Sequence, residues 1–162
     1  MSTLMKASNQ WASRPADQRF TSLTDMHAFA LQVRENSKNK VLANRAIEAR
    51  PVEGDHKALV VVGPNGTPVA PTHWSFGQLA QRAVAPAGYL RDLPAEIAAD
   101  CINYGLARRD VEEIGILLTA NPEADFNTMA ACTGPNYGRI WNSTIIGKLV
   151  EHWEDSLSPI HK

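Results

Sequence analysis

The architecture turns on VEEIGILLTANPEADFNTMAACT (residues 111–133), which must be read either as helix or as paired strands. Residues 111–120 are too rich in β-branched and apolar side chains beside a turn to favour helix, so they are read as a strand. NPEAD (121–125) then makes the turn, and FNTMAACT (126–133) the returning strand. A chain with helices on both sides of such a hairpin belongs to the α+β class.

The flanks extend this reading. TGPNYGRIWN (133–142) leaves the hairpin through Gly, Pro and Asn, and Asn142 or Ser143 caps a closing helix whose apolar stripe is Ile145, Ile146, Leu149, Val150 and Trp153. Before the hairpin lie three helical segments. Thr72 caps the first, with Phe76, Leu79, Ala80 and Ala83 on its apolar face. APAGYLRDLP (85–94) is a short turn of helix, and AEIAADCINYGL (95–106) is read with Ile97, Ala98, Cys101 and Ile102 inward and Gly105 helping to end it. Further back, KALVVV (57–62) is a strand, GPNGTP (63–68) a tight reversal with Asn-Gly supplying positive φ, and PVAPT (68–72) a short strand that its prolines confine to an edge. Residues 40–52 are short and mixed, with Val41, Ala43 and Ile47 spaced for a half-buried strand. A helix over 23–35 opens with Ser22 and Asp25 as a capping box and carries Met26, Phe29, Ala30 and Val33.

The expected fold is a single α+β domain, an antiparallel sheet backed by helices. Residues 1–21 form an arm packing on the domain through Trp11 and Phe20, residues 22–155 the domain, and residues 156–162 a tail. No apolar run follows the first lysine, which argues against a secretory signal, and no stretch is long enough for a membrane span, so a cytoplasmic location is expected.

Charge and motif content narrow the function classes. Net charge is −1, but the first 50 residues carry +4 and the remainder −5, which concentrates cations in the first third. Cys101 and Cys132 stand far apart in no metal-binding spacing, and none of His27, His56, His73, His152 and His161 sits in HExxH, so neither a metal nor another cofactor is expected. GPNGTP and GPNYGR match no phosphate-loop pattern, and no GxSxG occurs. No catalytic residue is assigned. The remaining signal is cations interleaved with aromatics, at Trp11, Arg14, Arg19 and Phe20, at Tyr89 and Arg91, and at Tyr137, Arg139 and Trp141. Single-strand binders combine cations for phosphate with aromatic faces for bases.

Four stretches taken in order, NQWASRPADQRFTSLTDMH (9–27), APTHWSFGQLAQRAVAPAGYLRDLP (70–94), ADCINYGL (99–106) and TGPNYGRIWN (133–142), resemble the phage/plasmid-like proteins of domain of unknown function family 932. The resemblance covers about Ala7 to Trp153 and implies a mobile-element protein, here a shortened copy without the family's C-terminal half. It assigns no catalytic residue, and it draws attention to Tyr137, Gly138, Arg139 and Trp141. The reading that follows is a non-enzymatic protein binding nucleic acid, single-stranded DNA above all, in replication or recombination, as single-strand annealing proteins do. Arg14, Arg19, Arg45 and Arg50 would meet phosphate, and Tyr137 and Trp141 would stack bases with Arg139 beside them. The alternative is an anti-CRISPR-like inhibitor of a host defence complex. It would act through the acidic residues Asp110, Glu112, Glu113, Glu151, Glu154 and Asp155, because acidic surfaces can occupy basic channels.

Overall fold

The hairpin expected at 111–133 is present, and it forms the centre of a six-stranded sheet. The computed structural model describes residue 20, residues 22–121 and residues 124–156, with side chains as far as Trp153. In chain order the elements are α1 (Leu23–Glu35), β1 (Ser37–Ala43), a 3₁₀ turn (Asn44–Ala46), β2 (Glu48–Val52), β3 (Asp55–Val62), β4 (Pro68–Pro71), α2 (His73–Arg82), α3 (Ala87–Asp92), α4 (Ala95–Ala107), β5 (Glu113–Thr119), β6 (Asn127–Thr133) and α5 (Asn142–Ser156). The fold class is α+β. Sequence reading placed no boundary between residues 22 and 155; the chain separates into two compact units, one of residues 35–138 and one built from residues up to 34 and from 139 onward.

In the sheet unit the strand order is β1-β5-β6-β4-β3-β2. Every neighbouring pair is antiparallel except β4 with β6, which run parallel, so the sheet is mixed rather than purely antiparallel. The two edge strands, β1 and β2, are joined by residues 44–47 alone. Flat, six strands would hold their edges about 24 Å apart. A link of this length reaches about 17 Å at full extension, and less with three residues in a 3₁₀ turn. The sheet therefore curls. A contact across the curl shows the result: Leu42 Cδ1 on β1 lies 3.8 Å from where a Cβ on Gly63, just after β3, would stand, although β1 and β3 are four places apart. The linking turn is fastened by Asn44, fully buried, whose Nδ2 donates to the Arg109 carbonyl (3.0 Å) while its backbone N–H donates to that of Glu112 (2.8 Å).

Helices α2, α3 and α4 cover part of the curled sheet's inner face. Leu79 and Ala80 of α2, Ala83 just after it, Ile102 and Leu106 of α4, Ile114 of β5 and Met129 of β6 form one buried cluster with Val61 and Val69. Burial of each large apolar side chain contributes about 1.5–3 kcal/mol. The start of α2 is tied to β6. Thr72 Oγ1 accepts from the Ser75 N–H (3.1 Å), and Ser75 Oγ donates to the Met129 carbonyl (2.5 Å). The outer side of β2 is closed by α4, because Asn103 accepts from the Ala49 N–H (2.7 Å) and donates to the Ala49 carbonyl (2.8 Å). This satisfies backbone groups that an edge strand otherwise leaves open.

Several local readings change. PVAPT is an interior strand, between β3 and β6, not an edge. Its prolines sit at the two ends of a four-residue strand, where few ladder bonds are needed. Residues 40–52 contain parts of two strands at opposite sheet edges instead of one, with Ile47 in the core between them. Ile97 is 49% exposed, while Ala95, Ala98, Ala99, Ile102 and Leu106 face inward, so the stripe of α4 is rotated from the one expected. Gly105 does not end α4, which continues to Ala107. A Cβ there would overlap the Ala83 carbonyl, so the glycine permits α4 to approach the end of α2.

In the other unit, Ser22 Oγ accepts from the Asp25 N–H (3.2 Å) as expected of a cap. His27 of α1 lies against Gly147 of α5, and Phe20 packs on Phe29 with ring centroids 5.1 Å apart. The first turn of α5 is closed on the Trp141 carbonyl, which accepts from Thr144 (3.0 Å) and Ile145 (3.3 Å), rather than on an Asn142 or Ser143 side chain. Its expected apolar stripe is only partly covered: Ile145, Leu149 and Trp153 are exposed.

Candidate functional site

The curl that brings β1 toward β3 leaves the part of the inner face beyond the helices uncovered. A cleft of about 420 Å³ opens there, lined by β1, β3, β4, β5, β6 and the 63–67 turn and by no residue of α2, α3 or α4. Strand alternation builds it. On β1, Lys38, Lys40 and Leu42 point to one face, and their partners across the ladder on β5 are Leu118, Ile116 and Ile114. Ile47, Val61, Val69 and Ile116 form the floor, and all four belong to the hydrophobic core. The wall opposite the lysines is the GPNGT turn. It closes with the Gly66 N–H donating to the Gly63 carbonyl (2.9 Å), and Gly66 holds φ +73°, the left-handed conformation the Asn-Gly pair predicts.

The polar groups of this cleft are of one charge sign. Lys38 and Lys40 are exposed on the rim, and no carboxylate is among the lining residues. Asn36, Asn65 and Asn127 add amides. The Asn127 Oδ1 accepts from the Asn121 N–H (3.2 Å), leaving its NH₂ to donate; Asn65 Nδ2 donates to Thr67 Oγ1 (3.0 Å), leaving its oxygen to accept. An apolar floor with a few convergent polar groups at the mouth of a curled sheet is the usual form of a ligand site.

The residues singled out from sequence stand elsewhere. Arg14 and Arg19 lie outside the described residues. Arg45 is exposed in the turn between β1 and β2. Arg50 donates to Glu48 Oε2 (2.7 Å), a hydrogen bond that holds the Glu48 carboxyl below the usual range and raises Arg50 further. The Glu48 carboxylate offsets the charge Arg50 would offer a phosphate. Tyr137 is exposed and belongs to the sheet unit, whereas Arg139 and Trp141 belong to the other, so the division falls inside the expected site. The Arg34 guanidinium covers one face of Trp141 at 5.5 Å from the ring centroid. Residues 137–141 form no strand. None of Tyr137, Arg139 and Trp141 lines the cleft.

The acidic set is also divided. Asp110, Glu112 and Glu113 sit at the α4–β5 connection, where Glu112 pairs with Arg109 at 3.3 Å. Glu151 on α5 pairs with Lys148 at 2.6 Å, and the side chains of Glu154 and Asp155 lie outside the described ones. A second hollow, of about 340 Å³, lies between α2–α4 and β3–β4, but its cations already serve the fold. Lys57 donates to the carbonyls of Asp92 (2.8 Å) and Leu93 (3.3 Å). Arg91 donates to that of His73 (2.8 Å) and lies over Phe76.

Among the described residues, no group of three His, Cys, Asp or Glu side chains is placed to hold a metal ion, and no helix is long and apolar enough to cross a membrane. Cys101 and Cys132 are free thiols, and burial pushes Cys132 up to about 12.

Lysines 38 and 40 are the functional candidates that sequence reasoning passed over. Their signal was present as K-N-K followed by Leu42, the alternation that sets two cations and an apolar residue on one strand face. No family model, no curated protein and no solved structure matches the chain.

Proposed function

We propose that the protein is a non-enzymatic binder of single-stranded nucleic acid, and that the cleft between β1 and the 63–67 turn is the contact site. The observation that carries this reading is the pairing of Lys38 and Lys40 with an apolar floor and three amides in a lining that holds no carboxylate. Phosphate supplies the charge that two ammonium groups attract, and a base supplies a flat apolar body with a polar edge. Replication or recombination of a mobile element, the setting that the resemblance noted in the sequence implies, would use such binding.

Fluorescence anisotropy of a labelled single-stranded oligonucleotide, titrated at several salt concentrations, tests the reading. Each phosphate neutralised on a single strand contributes about −0.7 to the slope of log affinity against log salt. Converting both lysines to glutamate should therefore weaken binding and flatten the slope by about 1.4. A folded Lys38→Glu/Lys40→Glu variant that binds as the parent does, with the same slope, would overturn the site.

A further inference from the structure

We infer that the cleft is a dead-end seat for one unstacked base, with the neighbouring phosphates held outside it on Lys38 and Lys40; this rests on the nucleic-acid reading above. Three observations place the base inside and the backbone outside. The floor residues Ile47, Val61, Val69 and Ile116 are part of the core, so the cleft ends on packed side chains and offers no passage for a strand to run through. Its volume, about 420 Å³, lies in the range of sites that enclose one small ligand, roughly 300–1,000 Å³. The cations are on the rim. As residues i and i+2 of one strand, Lys38 and Lys40 have backbones about 6.7 Å apart, which lets them engage different phosphates.

The interior suits a base rather than a second phosphate. Leu42 and Leu118 give it aliphatic walls against which a π-face can pack, and no cation lies at the floor. The Asn127 NH₂ and the Asn65 side-chain oxygen offer one donor and one acceptor, the complement of a base edge that presents both. A preference for single strands follows from the same geometry. Seating a base from a duplex requires unpairing and unstacking it, at a cost of a few kcal/mol that a single strand largely avoids.

The test compares two labelled strands of equal length and phosphate number, one with all its bases and one made wholly of abasic units, each titrated with the full chain at low salt. Loss of base contacts should weaken the abasic strand by about tenfold or more. Leu118→Trp fills the cleft, and because Leu118 is paired with Lys38 across the ladder the readout is the ratio of the two strands' affinities, which should fall to about one. The strand comparison needs no variant, so it stands even if Leu118→Trp does not fold. Equal affinity for the two strands would overturn the base seat while leaving a cationic groove in place. Absence of binding by either strand would overturn the nucleic-acid reading together with the seat.

Discussion

Gly105→Ala and Gly88→Ala are the same chemical change in two helices, and the structure assigns them opposite signs. In a helix interior alanine is favoured over glycine by about 0.8–1.0 kcal/mol. At Gly88, in α3, a new Cβ meets nothing within 4 Å, so only that preference acts. Because Gly88 lies in the first turn of a six-residue helix, part of the gain is realised, about 0.5 kcal/mol. At Gly105 the new Cβ overlaps the backbone carbonyl of Ala83, which cannot rotate aside as the end of a side chain would. Overpacking of this kind costs about 1–3 kcal/mol, and the backbone obstacle puts it in the upper half. Subtracting the helix preference leaves a net loss of about 1–2 kcal/mol. For a unit of about 100 residues, 1 kcal/mol moves Tm by about 4–8 °C. Thermal unfolding followed by circular dichroism should show Gly105→Ala melting about 4–16 °C below the parent and Gly88→Ala about 2–4 °C above it. A Gly105→Ala protein as stable as the parent would refute the close approach of α4 to the end of α2.

Asn103→Ala removes both hydrogen bonds to Ala49 and leaves a buried N–H and C=O on β2 without partners. We expect a loss of about 2–4 kcal/mol in urea unfolding, with Asn103→Asp intermediate because it retains the acceptor. The Cys132 thiol, raised to about 12, binds its proton more tightly in the folded than in the unfolded chain, whose thiol titrates near its ordinary value of 9.0. Between those values unfolding releases a proton, so the contribution to stability is complete below about pH 9 and is lost as pH rises toward 12. The slope is about 1.4 kcal/mol per pH unit. Stability measured from pH 8 to 11 should therefore fall more steeply for the parent than for Cys132→Ala, and parallel curves would show that the thiol is not desolvated.

What was legible in the sequence was what neighbouring residues determine. Residues 113–119 and 127–133 pair as a hairpin because apolar and β-branched residues fill both runs. Ser22 and Thr72 cap because their oxygens reach backbone N–H groups three residues on, and Asn65-Gly66 turns because glycine accepts positive φ. The misreadings arose where the deciding partner is distant in sequence. Prolines at 68 and 71 suggested an edge, yet a strand of four residues can be interior when its prolines stand at its ends. Gly105 looked like a terminator because nothing local shows that Ala83 lies against it. Ile97 followed the expected helical period, but the covered face of α4 is set by where β2 and β3 lie.

The cleft was invisible for the same reason, and the first-third excess of positive charge explains how it was missed. That excess suggested Arg14, Arg19, Arg45 and Arg50 as the phosphate contacts. In the structure, most of the arginines described with a partner serve the fold. Arg34 covers Trp141, Arg50 holds Glu48, Arg82 donates to the Glu113 carbonyl, Arg91 braces His73 and Phe76, and Arg109 pairs with Glu112. A guanidinium held in place by the fold, or with its charge offset by a neighbouring carboxylate, contributes less to holding a phosphate. Lys38 and Lys40 have no ion pair among the described residues, and both line an opening bounded by apolar side chains, where water screens a charge less than on an open surface. The regional charge signal thus covers both the arginines singled out from the sequence and the two lysines that line the cleft. Only the curl of the sheet, set by the short link from Ala43 to Glu48, converts two ordinary edge-strand lysines into one side of a cleft.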